Sequence, residues 1–156
     1  MIYTTDIPRG EYRDALIRWI GEFQPSLFVT FVFNSPISIQ SSRDRLEEFH
    51  QRIDRTILGP KWLQKTEARS QYIAFIEKPT ENLHIHAVFH LPTGGDNTFV
   101  LKAPKIWGEL AAAGNLDIQQ IPYVEGLADY ITKEIRPDTS EQILLPRQRC
   151  SAFQAA

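Results

Sequence analysis

This chain has 156 residues, of which 42% are hydrophobic and 23% are charged, and these values fit one globular domain over residues 1–156. It contains no apolar run of about eighteen residues and no secretory leader pattern, so we expect a soluble, cytoplasmic protein without membrane contact. The single cysteine, Cys150, excludes an internal disulfide framework. The net charge of −2 argues against broad, non-specific binding of nucleic acid, although an enzyme with locally placed basic residues remains compatible with it.

The first half of the chain predicts two helices around one strand. Residues 10–23 carry apolar side chains at helical spacing, and Pro25 ends this helix. Residues 27–33 are β-branched and aromatic, which predicts a strand buried on both faces, or on one face with aromatic side chains lining a site. A second helix is expected from the cap signal at residues 41–44 to about Leu58.

The second half predicts an antiparallel hairpin followed by alternating helices and strands. The hairpin strands are residues 69–77 and 83–91, and residues 92–97 are expected to form a surface loop. The other predicted elements are a helix over about 104–113, a strand over 116–121, a helix over 123–135 and a last strand over 142–145 within a C-terminal tail, 137–156. The sequence therefore predicts an α+β fold with an antiparallel central sheet and flanking helices.

Three of the four histidines lie on one face of the second hairpin strand. Side chains alternate along a strand, so His84, His86 and His90 share a face and the apolar residues between them share the other. Two imidazoles at this spacing can bind one divalent metal ion, and Glu77 on the neighbouring strand supplies a carboxylate. We interpret Glu77, His84 and His86 as a metal site, His90 as a flanking residue, and His50 on the second helix as a surface residue.

The predicted helix 123–135 carries a tyrosine and a lysine beside its apolar stripe. Tyr130 and Lys133 are three residues apart and so lie one turn from each other. A phenol becomes a nucleophile only if a base, a metal or a cation helps to remove its proton, and Lys133 is placed to assist or to neutralise phosphate charge. Gly126 falls between them in projection and leaves room for close approach.

Taken together, these segments resemble a known family. The Phe-Val-Thr-Phe-Val-Phe-Asn strand, then His84-Ile85-His86, then Tyr130-Ile-Thr-Lys133 resembles the HUH endonuclease superfamily, in its replication-initiator (Rep) branch with His-hydrophobic-His and Tyr-x-x-Lys motifs. The resemblance spans about residues 27–135. It implies a ferredoxin-like or RRM-like sheet with the histidines on a central strand and the tyrosine on a helix beside them.

The resemblance also implies roles for the residues. His84 and His86 would be ligands of Mn²⁺ or Mg²⁺, Glu77 is similar in position to the family's polar third ligand, and Tyr130 would be the nucleophile with Lys133 as its charged helper. The implied reaction is site-specific nicking and joining of single-stranded DNA, or of a stem-loop origin, through a 5′-phosphotyrosyl intermediate, as in rolling-circle replication initiation. The acidic net charge and the lack of an appended helicase domain depart from the family, so a separate host helicase is expected.

Other interpretations stay open at this point. Tyr123 is a possible second nucleophile, and an HUH transposase or mobilisation protein would use the same chemistry. A non-catalytic nucleic-acid-binding module would use Phe28, Phe31 or Phe33 as stacking platforms. A cupin-like metal oxygenase also carries His-x-His on a strand but is nearly all strand, and a structural protein with incidental histidines would bind no metal.

Overall fold

The computed structural model describes residues 8–133, 139 and 142–146, and the elements within them follow the predicted order. Two short 3₁₀ turns, Trp62–Gln64 and Thr66–Ala68, lie between the second helix and the second strand. The helices and strands are α1 (Arg9–Phe23), β1 (Leu27–Val32), α2 (Ile39–Leu58), β2 (Gln71–Glu77), β3 (His84–His90), α3 (Gly95–Leu110), β4 (Asn115–Gln120), α4 (Val124–Ile131) and β5 (Ile143–Leu144).

The strands form one antiparallel sheet in the order β4-β1-β3-β2-β5. The prediction of an α+β fold with an antiparallel central sheet and flanking helices is therefore confirmed. The segment β1-α2-β2-β3-α3-β4 is consistent with a ferredoxin-like fold. The histidine strand, β3, lies at the centre of this sheet between β1 and β2.

The two faces of the sheet bury different sets of side chains. One face packs on α2 and α3, and its β3 contribution is the apolar set that alternates with the histidines, Ile85, Ala87 and Phe89. The opposite face packs on α1 and α4, and it buries Val88 of the same strand. Because His84 and His86 alternate with the first set, they lie on the α1 and α4 side of the sheet.

The third helix begins nine residues before its predicted start. It starts at Gly95, so the prediction of a loop through residue 97 is wrong. The predicted helix begins at Pro104, whereas in the structure Pro104 lies inside the helix. The apolar stripe of Phe99, Ala103 and Trp107 continues across the proline, and burial of these side chains stabilises the helix on both sides of it.

The second helix also differs from its prediction. It begins at Ile39, where the Ser38 hydroxyl accepts a hydrogen bond from the Ser41 amide at 3.0 Å. His50 is 3% exposed, so its interpretation as a surface residue is wrong. The reason is helical spacing, because His50 lies within the buried stripe formed by Leu46, Phe49 and Ile53.

The fourth helix is shorter than predicted. It ends at Ile131, Thr132 and Lys133 form a turn, and residues 134–135 of the predicted helix lie outside the described residues, as does much of the 137–156 tail. β5 falls within the last strand that was expected over 142–145. In the described part of the chain, no helix combines the length and the apolar character needed to cross a membrane.

Candidate metal and nucleophile site

The β2-β3 hairpin brings the predicted metal ligands together at the ends of two strands. The pairing register places Glu77 directly opposite His84 and places Phe75 opposite His86. Because side chains of a strand alternate between faces, His86 projects on the same side as His84, one pleat further into the sheet. These three ligands therefore sit on rigid strand backbone, with Glu77 and His84 partly buried and His86 buried.

The donor atoms of this group converge on one point. Glu77 Oε2 lies 2.7 Å from His84 Nε2 and 3.1 Å from His86 Nε2. One donor atom from each of the three residues lies within 4.8 Å of the others. In an octahedral site, two ligand atoms that each lie about 2.1 Å from the metal and at right angles to each other are about 3.0 Å apart. The separations of Glu77 Oε2 from the two imidazole nitrogens are close to that value.

The hydrogen bonds of the outer ring nitrogens direct the Nε2 atoms toward this point. His84 Nδ1 lies 3.2 Å from the Asn82 carbonyl oxygen, which can only accept, so Nδ1 carries a proton. His86 Nδ1 lies 3.1 Å from the Thr30 hydroxyl, because β1 places Thr30 opposite His86. Fixing the outer nitrogen of an imidazole in this way is how proteins orient metal-binding histidines.

This hydrogen-bonding pattern leaves a mismatch that a cation would relieve. A neutral His84 with its proton on Nδ1 has a lone pair on Nε2, and that lone pair points at the carboxylate oxygen of Glu77. Two acceptors at 2.7 Å repel each other unless a second proton or a metal ion lies between them. The donor set of two imidazoles and one carboxylate thus fits a divalent ion with open coordination positions.

The charge states of the ligands suit metal binding at neutral pH. Burial alone would raise the pKa of the Glu77 carboxyl, but the two neighbouring imidazoles favour the carboxylate and outweigh burial, so this pKa lies below its ordinary value. Burial lowers the pKa of His86 and outweighs the opposing effect of Glu77, while His84 and Lys133 lower it further. The ring of Phe28 stacks on His86 at 5.4 Å and contributes to this burial. Glu77 is therefore anionic and His86 neutral near pH 7.

The structure places Tyr130 of α4 next to the histidines. Its ring centroid lies 6.2 Å from that of His86, in an edge-to-face arrangement. Lys133 Nζ lies 4.4 Å from the Tyr130 ring centroid, a cation–π contact. Tyr130 is 48% exposed, so about half of the residue is accessible to an incoming ligand. The two residues of the predicted Tyr-x-x-Lys pair thus meet one another, and Tyr130 meets His86 of the predicted metal site.

Two other candidates of the sequence lie apart from this cluster. His90 is exposed, and its Nδ1 lies 3.0 Å from the Gln24 carbonyl at the opposite end of β3. Tyr123 is 65% exposed, and its hydroxyl donates to Glu125 at 3.2 Å. The ring of Tyr123 uses the space above Gly126, because a Cβ added at that glycine would lie 2.8 Å from the tyrosine Cδ1. The room at Gly126 therefore serves Tyr123 rather than Tyr130.

The sequence reasoning missed Thr30 as part of the site. Residues 27, 29 and 31 of β1 belong to the core on the α2 and α3 face, and Thr30 faces the other way, toward His86. The signal was available, since a single hydroxyl within an apolar strand needs a hydrogen-bond partner.

The structure bears on two of the alternatives. Phe31 is 0% exposed and Phe33 is 2% exposed in the core beneath α2 and α3, so the prediction of stacking platforms is wrong for these two residues. Phe28 is 8% exposed and stacks on His86. A cupin-like fold is wrong as well, because within the described residues four helices flank this five-stranded sheet.

Comparison with protein-family models, with curated proteins and with solved structures found no match to this chain.

Proposed function

We propose that this protein is a metal-dependent single-stranded DNA endonuclease and strand-joining enzyme of the HUH type, acting as a replication initiator. The observation that carries the proposal is the 6.2 Å approach of the Tyr130 ring to His86, at the point where His84, His86 and Glu77 converge. A nucleophilic side chain beside a set of metal ligands is the minimal arrangement for metal-assisted phosphoryl transfer.

In this proposal Glu77, His84 and His86 hold Mn²⁺ or Mg²⁺. The ion would polarise the scissile phosphate and offset its charge. Mn²⁺ is expected to bind at least as tightly as Mg²⁺, because imidazole nitrogen suits the transition ion better. Thr30 and the Asn82 carbonyl hold the two imidazoles in the orientation that such a site requires.

Tyr130 performs the covalent step. Its phenolic oxygen attacks phosphorus and loses its proton to solvent, and the bond from phosphorus to the 3′-oxygen of the preceding nucleotide breaks. That oxygen takes up a proton and leaves as a free 3′-hydroxyl, while the 5′-phosphate stays on Tyr130. Attack of a 3′-hydroxyl on the phosphotyrosyl bond reverses the step and joins strands, so no external energy source is needed.

Lys133 supports this step by its charge. With its Nζ 4.4 Å from the Tyr130 ring centroid, it favours the developing negative charge of the phenolate and of the phosphate. The proposed partners are single-stranded DNA or a stem-loop origin, with strand separation supplied by a separate helicase. Transposition or mobilisation would use the same covalent step on a different DNA element.

The test is covalent trapping from a library of single-stranded oligonucleotides with a fully randomised centre. Incubation with Mn²⁺ is expected to yield a protein–DNA adduct that survives denaturation, and sequencing of the bound strands gives the recognition site. Tyr130→Phe is expected to lower adduct formation by more than about 1000-fold, because no other group replaces a lost nucleophile efficiently.

Tyr123→Phe is the matched control, since it removes the same kind of hydroxyl from the residue just before α4 and leaves Tyr130 in place. It is expected to form the adduct at the wild-type rate. An adduct that persists in Tyr130→Phe, or that forms equally well with a chelator present, would contradict the proposal.

A further inference from the structure

Neither helix length nor burial fixes the position of Tyr130. The helix that carries it, α4, has only eight residues, and helices of this length are unstable alone in water. Tyr130 is half exposed, so the core does not enclose its side chain. The helix contacts the sheet face through a few buried apolar residues, among them Ala128 and Ile131. Holding the phenol at the metal site therefore requires further contacts.

Two arginines of α1 supply such contacts at the end of α4. Arg13 Nη2 donates to the Asp129 carbonyl at 2.6 Å and pairs with the Asp129 carboxylate at 3.0 Å. Arg9 lies one turn earlier on α1, and its Nη2 donates to the Lys133 carbonyl at 2.6 Å. The two arginines thus hold the backbone on both sides of Tyr130.

The hydrogen bonds of Arg9 and Arg13 differ from the local hydrogen bonds that end α4. The Ala128 carbonyl accepts from the Thr132 hydroxyl at 2.7 Å and from its amide at 3.2 Å. Such bonds fix the shape of the last turn but not where it lies on the sheet. The arginine bonds connect it to α1, which packs through Leu16 and Ile20 on the same sheet face. Two guanidinium groups also offset the negative end of the helix dipole.

We propose that Arg13, assisted by Arg9, is a positioning residue that holds Tyr130 against His86 and thereby places the nucleophile at the metal site. The catalytic part of this inference rests on the proposed function. Its structural part concerns only where the Tyr130 ring lies, and it can be measured without DNA.

The structural part is tested by proton NMR of the metal-free protein. The wild type is expected to show a nuclear Overhauser effect between the rings of Tyr130 and His86, which lie edge to face. Arg13→Gln is expected to lose it, and Arg13→Lys, which keeps a charged donor, to retain it. The matched control is Arg18→Gln, which removes the same charge from α1 and leaves both arginine bonds to α4 in place.

The catalytic part is tested with the sequence recovered from the random library, at saturating DNA and Mn²⁺. Arg13→Gln is expected to slow adduct formation about 100-fold, because a displacement of about 1 Å at a reacting atom has an effect of that size. The dissociation constant of Arg13→Gln for Mn²⁺ is expected to stay within about twofold of wild type, since the metal ligands are untouched. A loss of folding would instead impair both Mn²⁺ binding and adduct formation. Arg13→Lys should recover at least about tenfold of the loss.

The outcomes separate the two claims. An Arg13→Gln variant that keeps both the ring contact and the wild-type rate overturns the inference, and so does an Arg13→Lys variant no better than Arg13→Gln. If Arg13→Gln loses the ring contact but the wild type forms no adduct with any library member, the positioning role of Arg13 is supported and the proposed function fails. Equal losses in Arg18→Gln would also overturn the inference, because a general effect of charge would then explain them.

Discussion

Two clusters in this molecule combine histidine with carboxylate, and they are completed in different ways. The α2 cluster consists of His50, Asp54, Arg69 and Ser70. In it, Asp54 accepts from the Arg69 guanidinium at 2.7 Å and from the Ser70 hydroxyl at 2.6 Å, and His50 Nε2 donates to the Ser70 carbonyl at 2.9 Å. Each of these donors meets an acceptor, and Asp54 is fully buried.

The strand-end cluster, Glu77, His84 and His86, is not completed by protein groups. Two imidazole nitrogens face one carboxylate oxygen, and none of the three side chains carries a permanent positive charge. The comparison teaches that a histidine beside a carboxylate is not by itself a ligand site. A cluster whose donors and acceptors balance stabilises the fold, whereas one whose lone pairs converge could hold a cation.

Amide replacements of the two carboxylates should have very different effects on stability, and this difference is the largest that the comparison predicts. Asp54→Asn is expected to lower the free energy of unfolding by about 3 kcal/mol, because it leaves the Arg69 charge unpaired and turns an amide donor toward other donors. Glu77→Gln is expected to change the stability of the metal-free protein by less than about 1 kcal/mol, since an amide N–H can donate to an imidazole lone pair. Urea unfolding with a chelator present measures both.

For Mn²⁺ affinity the larger effect is expected at Glu77 and not at Asp54. Glu77→Gln is expected to weaken Mn²⁺ binding by more than about 100-fold, since it removes the anionic ligand, whereas Asp54→Asn should leave the affinity of the folded protein unchanged. Isothermal titration measures this affinity. The comparison breaks if Glu77→Gln destabilises the metal-free protein as much as Asp54→Asn does, because Glu77 would then be a structural carboxylate.

The strand-end cluster could be predicted from the sequence because strand geometry is regular. A period of two placed His84 and His86 on one face, and the short hairpin loop placed Glu77 opposite His84. The α2 cluster was missed for a different reason. The burial of His50 follows from helical spacing, but its partners Arg69 and Ser70 come after an irregular segment with two 3₁₀ turns, whose path no periodicity encodes.

The fold was predicted better than its boundaries. The order of helices and strands followed from periodicity and turn residues, while the start of α3 was misplaced because Pro104 is tolerated inside the helix. The contacts that fix Tyr130 could not be predicted, since Arg9 and Arg13 join it across more than one hundred residues of chain. Such contacts depend on how α1 and α4 pack on the sheet, which neither helix specifies alone.

A smaller effect is expected at Thr30, which orients one ligand of the strand-end cluster without touching the ion. Thr30→Val has nearly the same shape but loses the hydroxyl that lies 3.1 Å from His86 Nδ1. The affinity for Mn²⁺ is expected to fall about tenfold to 100-fold, the usual effect of removing such a partner. Thr30→Ser keeps the hydroxyl and should restore most of the affinity, as measured by isothermal titration.

The smallest expected effect is on the pH dependence of stability, and it reports on the α2 cluster alone. Burial lowers the pKa of His50, despite the opposing charges of Asp54 and Glu47, so the folded protein keeps this imidazole neutral. In the unfolded chain this imidazole binds a proton below about pH 6.5, whereas the folded protein resists its uptake. The free energy of unfolding is therefore highest above that pH and falls as the pH decreases below it. One such group adds a slope of at most about 1.4 kcal/mol per pH unit.

His50→Gln keeps a donor for the Ser70 carbonyl but cannot titrate. Urea unfolding with a chelator present is therefore expected to show a shallower loss of stability between about pH 6.5 and pH 5.5 in His50→Gln than in the wild type. The strand-end cluster is intact and metal-free in both proteins, so its own titration cancels in the difference. Equal slopes would mean that His50 takes up its proton while buried. In that case the α2 cluster, like the strand-end cluster, would have room for a further positive charge, and the contrast between them would disappear.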